Sequence, residues 1–198
     1  MRNGWPRGVT LIHVTGITAM LSASAHAAVH QLFDLAAEHG ALVSFDPNVR
    51  RKLGAATQWR ETVGPLLKRA HLVFAGSDEL EELTGMPADV AASRLLSDAA
   101  HSVIVKRPDH SVTLLTRDGQ WSQPTRAAAV VDPVGAGDAL AAGFLSARLG
   151  SRPPDEALEA GVAAAHVVGA VLDNEGLPNA RELAAAPATA HPSAPIDR

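Results

Sequence analysis

Gly135-Ala136-Gly137-Asp138 sets two glycines and an acid between an apolar run, Ala127 to Val131, and an Ala- and Leu-rich segment, Ala139 to Leu149. The run before it reads as a buried strand and the segment after it as a helix ended by Gly150. Glycine admits positive φ and lets a ligand approach the main chain closely. Outward amides together with the helix dipole hold a phosphate without a cationic side chain. An acid beside such an anion site is repelled by its ligand, and it makes sense as the group that takes a proton from an attacking hydroxyl. The alternative is a plain strand–helix turn with Asp138 capping the helix.

Other polar residues that could act on a substrate also follow apolar runs. Thr15-Gly16 follows Val9 to Thr15, and Asp46-Pro47-Asn48-Val49-Arg50 follows Ala41 to Phe45. Gly76-Ser77-Asp78-Glu79 follows Leu72 to Ala75, and Lys106 ends the run from Ser102 to Arg107. Between these strands helices are expected at about 22–39, 58–69, 77–84 and 89–99. The spacing predicts a reset of the second at Gly64-Pro65, and Ser77 is expected to cap the third. Val112 to Thr116 is a fifth strand in an antiparallel hairpin with the fourth. Arg117-Asp118-Gly119-Gln120 is a second turn leading to the strand before the glycines. A helix of small residues from Asp155 to about Leu172 implies close helix packing. Strands alternating with helices give an open, mostly parallel α/β sheet, and ligands bind beyond the carboxyl ends of its strands.

The 198 residues suffice for one domain, with 46% hydrophobic and 19% charged residues. Lys+Arg 17 against Asp+Glu 21 gives a net charge of −4, which argues against a nucleic-acid partner. With no cysteine, disulfides and thiolate metal sites are excluded. No apolar run approaches the ~20 residues of a membrane span. The start, Arg2 to Ala27, outlines a secretory signal, but His13, Thr15, Gly16 and Thr18 interrupt it, so the expectation is a cytoplasmic protein. Residues 1–185 are expected to form the α/β domain and 186–198 a disordered Ala/Pro-rich tail. His26 and His30 share a helix face with no third ligand in view, so they are expected to be a surface pair.

Asp132-Pro-Val-Gly-Ala-Gly-Asp-Ala-Leu-Ala-Ala-Gly-Phe144 resembles the C-terminal signature of the PfkB/ribokinase carbohydrate kinases. Val14 to Thr18, Asp46 to Arg50 and Val103 to Arg107 resemble their counterparts in the 2-keto-3-deoxygluconate kinase branch, in the same order. The resemblance implies a ribokinase-like three-layer α/β/α sandwich. The activity it implies is ATP-dependent phosphorylation of a sugar or sugar-acid hydroxyl. It makes Asp138 the general base and the Gly135, Ala136 and Gly137 amides the anion hole. Lys106, Asn48 and Gly76 fall at nucleotide- or phosphate-contacting positions. Arg50 and Asp173 fall at substrate-contacting positions, and Glu79 matches the acid of an Asn-x-x-Glu motif associated with Mg²⁺. An Arg suits a sugar acid because guanidinium pairs a carboxylate by two bonds. ATP and Mg²⁺ are the implied cofactors, with a monovalent cation as an optional third, and a homodimer is an allowed assembly. Read without the resemblance, Glu79 is a first-turn helix acid, Arg50 one of three adjacent surface cations and Asp173 a surface acid.

The sequence departs from that pattern in places. Gly76 replaces the Asn of Asn-x-x-Glu, Pro108 and Ser111 replace two loop glycines, and Gly161 stands where relatives often carry Asn. The chain also opens on a mid-domain strand, which implies an N-terminally truncated kinase without its β lid. A non-catalytic remnant, still binding nucleotide or pairing with another chain, is therefore the competing expectation, and a secreted protein of unrelated role the third.

Overall fold

The structure, a computed structural model, describes residues 5–125 and 134–169. Its residues fall into two compact units, Met1–Lys106 with Leu115–Asp118, and Arg107–Leu114 with Gly119–Arg198. The expected strand at 127–131, Asp132, Asp173 and the tail lie outside the described residues.

The first unit alternates strand and helix: β1 (Leu11–Thr15), α1 (Gly16–Met20), α2 (Ala23–Glu38), β2 (Leu42–Asp46), α3 (Ala56–Leu67), β3 (Leu72–Gly76), α4 (Ser77–Thr84), α5 (Ala88–Ser97) and β4 (Ser102–Lys106). The four strands pair in parallel, in chain order. A parallel strand covered on both faces reads as an unbroken apolar run. β3, Leu-Val-Phe-Ala-Gly, is buried at every position, and β4 at all but Lys106. Packed against them are Phe33 of α2, edge-on to Phe45 at 5.8 Å, and the fully buried Trp59, Val63 and Leu66 of α3.

Several local expectations change. Gly16-Ile17-Thr18 is the first turn of α1. The chain passes so close to β2 there that a Cβ on Gly16 would stand 2.4 Å from the Pro47 carbonyl oxygen. α3 runs through Pro65 without a reset; the ring leaves the Glu61 carbonyl without its helical donor, a loss that burial of Val63, Leu66 and Leu67 outweighs. Gly76, not Ser77, is the N-cap of α4. Ser22 caps α2, its hydroxyl accepting the Ala25 amide at 3.1 Å, and Gly85 ends α4 in the left-handed region at φ 70°.

In the second unit a tight turn, Arg107 N–H donating to Ser111 O at 2.8 Å, opens β5 (Ser111–Thr116). Three residues later comes β6 (Gln120–Pro124), too soon for a crossover, so the two form an antiparallel hairpin. β6 is a strand where only a turn was expected, because Gln-Trp-Ser-Gln-Pro carries no apolar run. β1 to β6 lie in one sheet in that order. The unit continues with α6 (Ala136–Leu149) and α7 (Pro154–Gly169). Small residues bring these helices together. A Cβ on Gly143 would lie 2.7 Å from Ala160 O, and one on Gly161 2.8 Å from Leu140 O. A longer side chain at 161 therefore needs the helices to part. Gly143→Ala is expected to cost about 1–3 kcal/mol by overpacking, read as a lower urea midpoint at unchanged slope.

Candidate active site

The parallel register brings four strand ends to one edge of the first unit: Thr15 lies opposite Asp46, and Gly76 opposite Lys106. Asp46 closes β2 and is 3% exposed. Its Oδ1 accepts the Asn48 amide at 2.9 Å, and its Oδ2 lies 3.5 Å from Lys106 Nζ. From the start of α4, Glu79 reaches back with both oxygens. Oε2 accepts the Gly76 amide and Oε1 the Val49 amide, each at 2.7 Å. Lys106 Nζ lies 3.9 Å from Glu79 Oε2. One ammonium thus stands between two carboxylates. Burial raises the Asp46 carboxyl above its usual range, Lys106 opposes the rise and Glu79 adds to it.

So Asn48, Gly76, Glu79 and Lys106 are assembled together, along with Asp46, to which the motif reading gave no role of its own. Its signal was modest: an acid at a strand end, halted by Pro47. Asn48 adopts φ 46°, which Asn tolerates better than most residues. Arg50 follows, exposed, and its guanidinium has no hydrogen-bond or ion-pair partner among the described residues. No group of three acids or histidines suited to a metal ion occurs among the described residues.

A carboxyl whose folded pKa is raised binds its proton more tightly when folded. Its stabilising share is complete at acid pH and is lost as pH rises through the raised value. At neutral pH the ionised Asp46 therefore costs stability. Asn at 46 keeps the acceptor for the Asn48 amide, and Lys106 keeps Glu79. Asp46→Asn is expected to raise Tm at pH 7 by about 2–5 °C, a gain that disappears at pH 3 to 4 in calorimetry. A lower Tm at pH 7 would show that the Lys106 pairing outweighs the burial.

In the second unit Gly135 is the N-cap of α6, in the left-handed region at φ 81°, and as a glycine it supplies no side-chain cap. Asp138 is the third helical residue and is exposed. The N-cap position itself is held by Gly135 and not by Asp138. A 14-residue helix whose N-cap is a glycine offers first-turn amides of the kind that favour an anion. The 107–111 turn closes without its glycines: His110 takes φ 59° and Asp109 accepts the Ser111 amide and hydroxyl at 3.0 and 2.7 Å. Those bonds lower the Asp109 carboxyl below its usual range.

His26 and His30 meet at 2.9 Å between Nε2 atoms on α2. No described helix is long and apolar enough to cross a membrane.

The pfkB family carbohydrate kinase model matches residues 5–176. The chain is 33% identical over 175 residues to the 2-dehydro-3-deoxygluconokinase of Thermoproteus tenax, covering 86% of this chain and 53% of that protein. It is 34% identical over 178 residues to the Bacillus subtilis 2-dehydro-3-deoxygluconokinase, covering 87% and 55%. The chain thus spans about half the length of these curated relatives. Among solved structures, the 2-dehydro-3-deoxygluconokinase of Thermotoga maritima superposes with a TM-score of 0.82 at 18% identity, covering 90% of this chain and 60% of that one.

Proposed function

The chain belongs to the PfkB family of carbohydrate kinases, and from that premise we propose that it takes part in transferring a phosphoryl group to a hydroxyl of a sugar acid of the 2-keto-3-deoxygluconate type. The observation that carries the reading is the start of α6: a left-handed glycine N-cap followed within three residues by an exposed carboxylate. The names of the curated relatives support the substrate class.

ATP, when bound, supplies the phosphoryl group. The Gly135, Ala136 and Gly137 amides hold the anion through N–H donors and the dipole of α6. The Asp138 carboxylate accepts the proton leaving the sugar hydroxyl as its oxygen forms the new bond to phosphorus. Arg50, whose guanidinium has no partner among the described residues, pairs the substrate carboxylate. Lys106, Asn48 and Gly76 are proposed as the nucleotide-side contacts at the strand-end edge, with Lys106 held there by Asp46 and Glu79, and Asp173 is proposed as a further substrate contact. Mg²⁺ fits poorly as a direct ligand of Glu79, whose two oxygens already accept amides and whose Oε2 faces an ammonium. We assign it no protein ligand.

A second reading, a protein that binds nucleotide without turnover, is favoured by the absence of both glycines from the 107–111 turn. A coupled ADP-release assay with 2-keto-3-deoxygluconate separates the two. Turnover that needs the sugar acid supports the kinase. Nucleotide binding by calorimetry without ADP release supports the second reading.

A further inference from the structure

The geometry points to Glu79 as a positioning residue that fixes the turn carrying Arg50. The Asp46–Arg50 turn is held by two acids on consecutive amides, Asp46 on Asn48 and Glu79 on Val49. Asp46 belongs to the turn itself. Glu79 lies 30 residues from Val49 and is anchored by its other oxygen to the Gly76 amide at the end of β3. Its carboxylate therefore ties the turn after β2 to the start of α4. The tie holds an uncommon backbone: Asn48 at φ 46° occupies the left-handed region, which few residues with a Cβ visit.

Two charge-assisted bonds of 2.7 Å are among the strong kind. Lys106, 3.9 Å from Oε2 and 3.5 Å from Asp46 Oδ2, offsets part of the charge of the two acids in place. It would also oppose a divalent cation brought to the same oxygen. What the turn delivers is the next residue, Arg50, exposed and without a partner among the described residues. Its substrate role rests on the kinase reading; the tie itself does not.

Amide spectra of the full ¹⁵N-labelled chain test the tie without requiring turnover. In the wild type the Val49 and Gly76 amide protons are expected well downfield and slow to exchange with deuterium, and MgCl₂ without nucleotide leaves both unmoved. Near-isosteric Glu79→Gln removes the charge. It should move both signals upfield and speed exchange at Asn48 and Val49 at least about tenfold, leaving the α6 amides in place. Two results would overturn the assignment: a saturable Mg²⁺ shift of both amides in the wild type, or unchanged Val49 and Gly76 signals in Glu79→Gln. The wild-type arm decides the matter even if the variant misfolds.

Given turnover, Glu79→Gln should raise KM for the sugar acid with kcat within about twofold, and should add nothing in an Arg50→Ala background. Effects that simply add would break the link to Arg50. A wild type that shows the amide signature without turnover counts against the kinase reading alone.

Discussion

Asp138→Asn is expected to lower kcat for phosphoryl transfer about 10³-fold while leaving KM for ATP and for the sugar acid within about threefold. General-base catalysis contributes 10²–10⁴, and Asn preserves the shape of Asp without its basicity. Asp138 is exposed, and exposed substitutions rarely cost much stability, so Tm should hold. Steady-state ADP release with a melting curve on the same samples checks both halves. A kcat within threefold of wild type would remove Asp138 from the chemistry. An equal fall in kcat and Tm would make it a structural acid.

Arg50→Ala is expected to raise KM for the sugar acid about 10- to 100-fold, the size of a lost bond to a charged group, with a smaller rise for a neutral sugar lacking the carboxylate. Arg50→Lys keeps the charge but cannot form the paired bond, so its KM should fall between the two. The comparison across substrates is the informative readout, because a general disturbance of the turn would weaken both sugars alike. Equal effects on acid and neutral sugar would contradict carboxylate pairing.

The parts of this site legible in the sequence are those whose cause is local. An apolar run such as Leu72 to Ala75 announces a buried parallel strand, since burial on both faces leaves no polar alternation. Ser22 before a helical pattern announces a cap, and its hydroxyl does accept the Ala25 amide. Gly135 before an Ala-rich run announces the left-handed start of α6. Close helix packing was legible in the small residues from Asp155 onward, and Gly161 does meet α6 closely, a Cβ there lying 2.8 Å from Leu140 O.

What was not legible depends on contacts between distant residues. Asp46, Glu79 and Lys106 are separated by 33 and 27 residues (79 − 46 and 106 − 79), and only the parallel register of β2, β3 and β4 makes them one array. Taken locally, Glu79 is an acid that favours a helix N-terminus, which it is; its second bond, to Val49, is tertiary. Pro65 suggested a break because proline removes a helical donor, yet burial of its neighbours carries α3 through. β6 was missed because its partner β5, not its own apolar content, makes it a strand.

The central claim is that the amides at the start of α6 are the chain's grip on the transferred phosphate, and titrating the ¹⁵N-labelled protein with MgATP tests it most directly. The account predicts saturable shifts of the Gly135, Ala136 and Gly137 amides, among the largest in the spectrum and unchanged in Asp138→Asn. Saturable nucleotide binding that leaves those three amides unmoved, or no saturable binding at all, would contradict it.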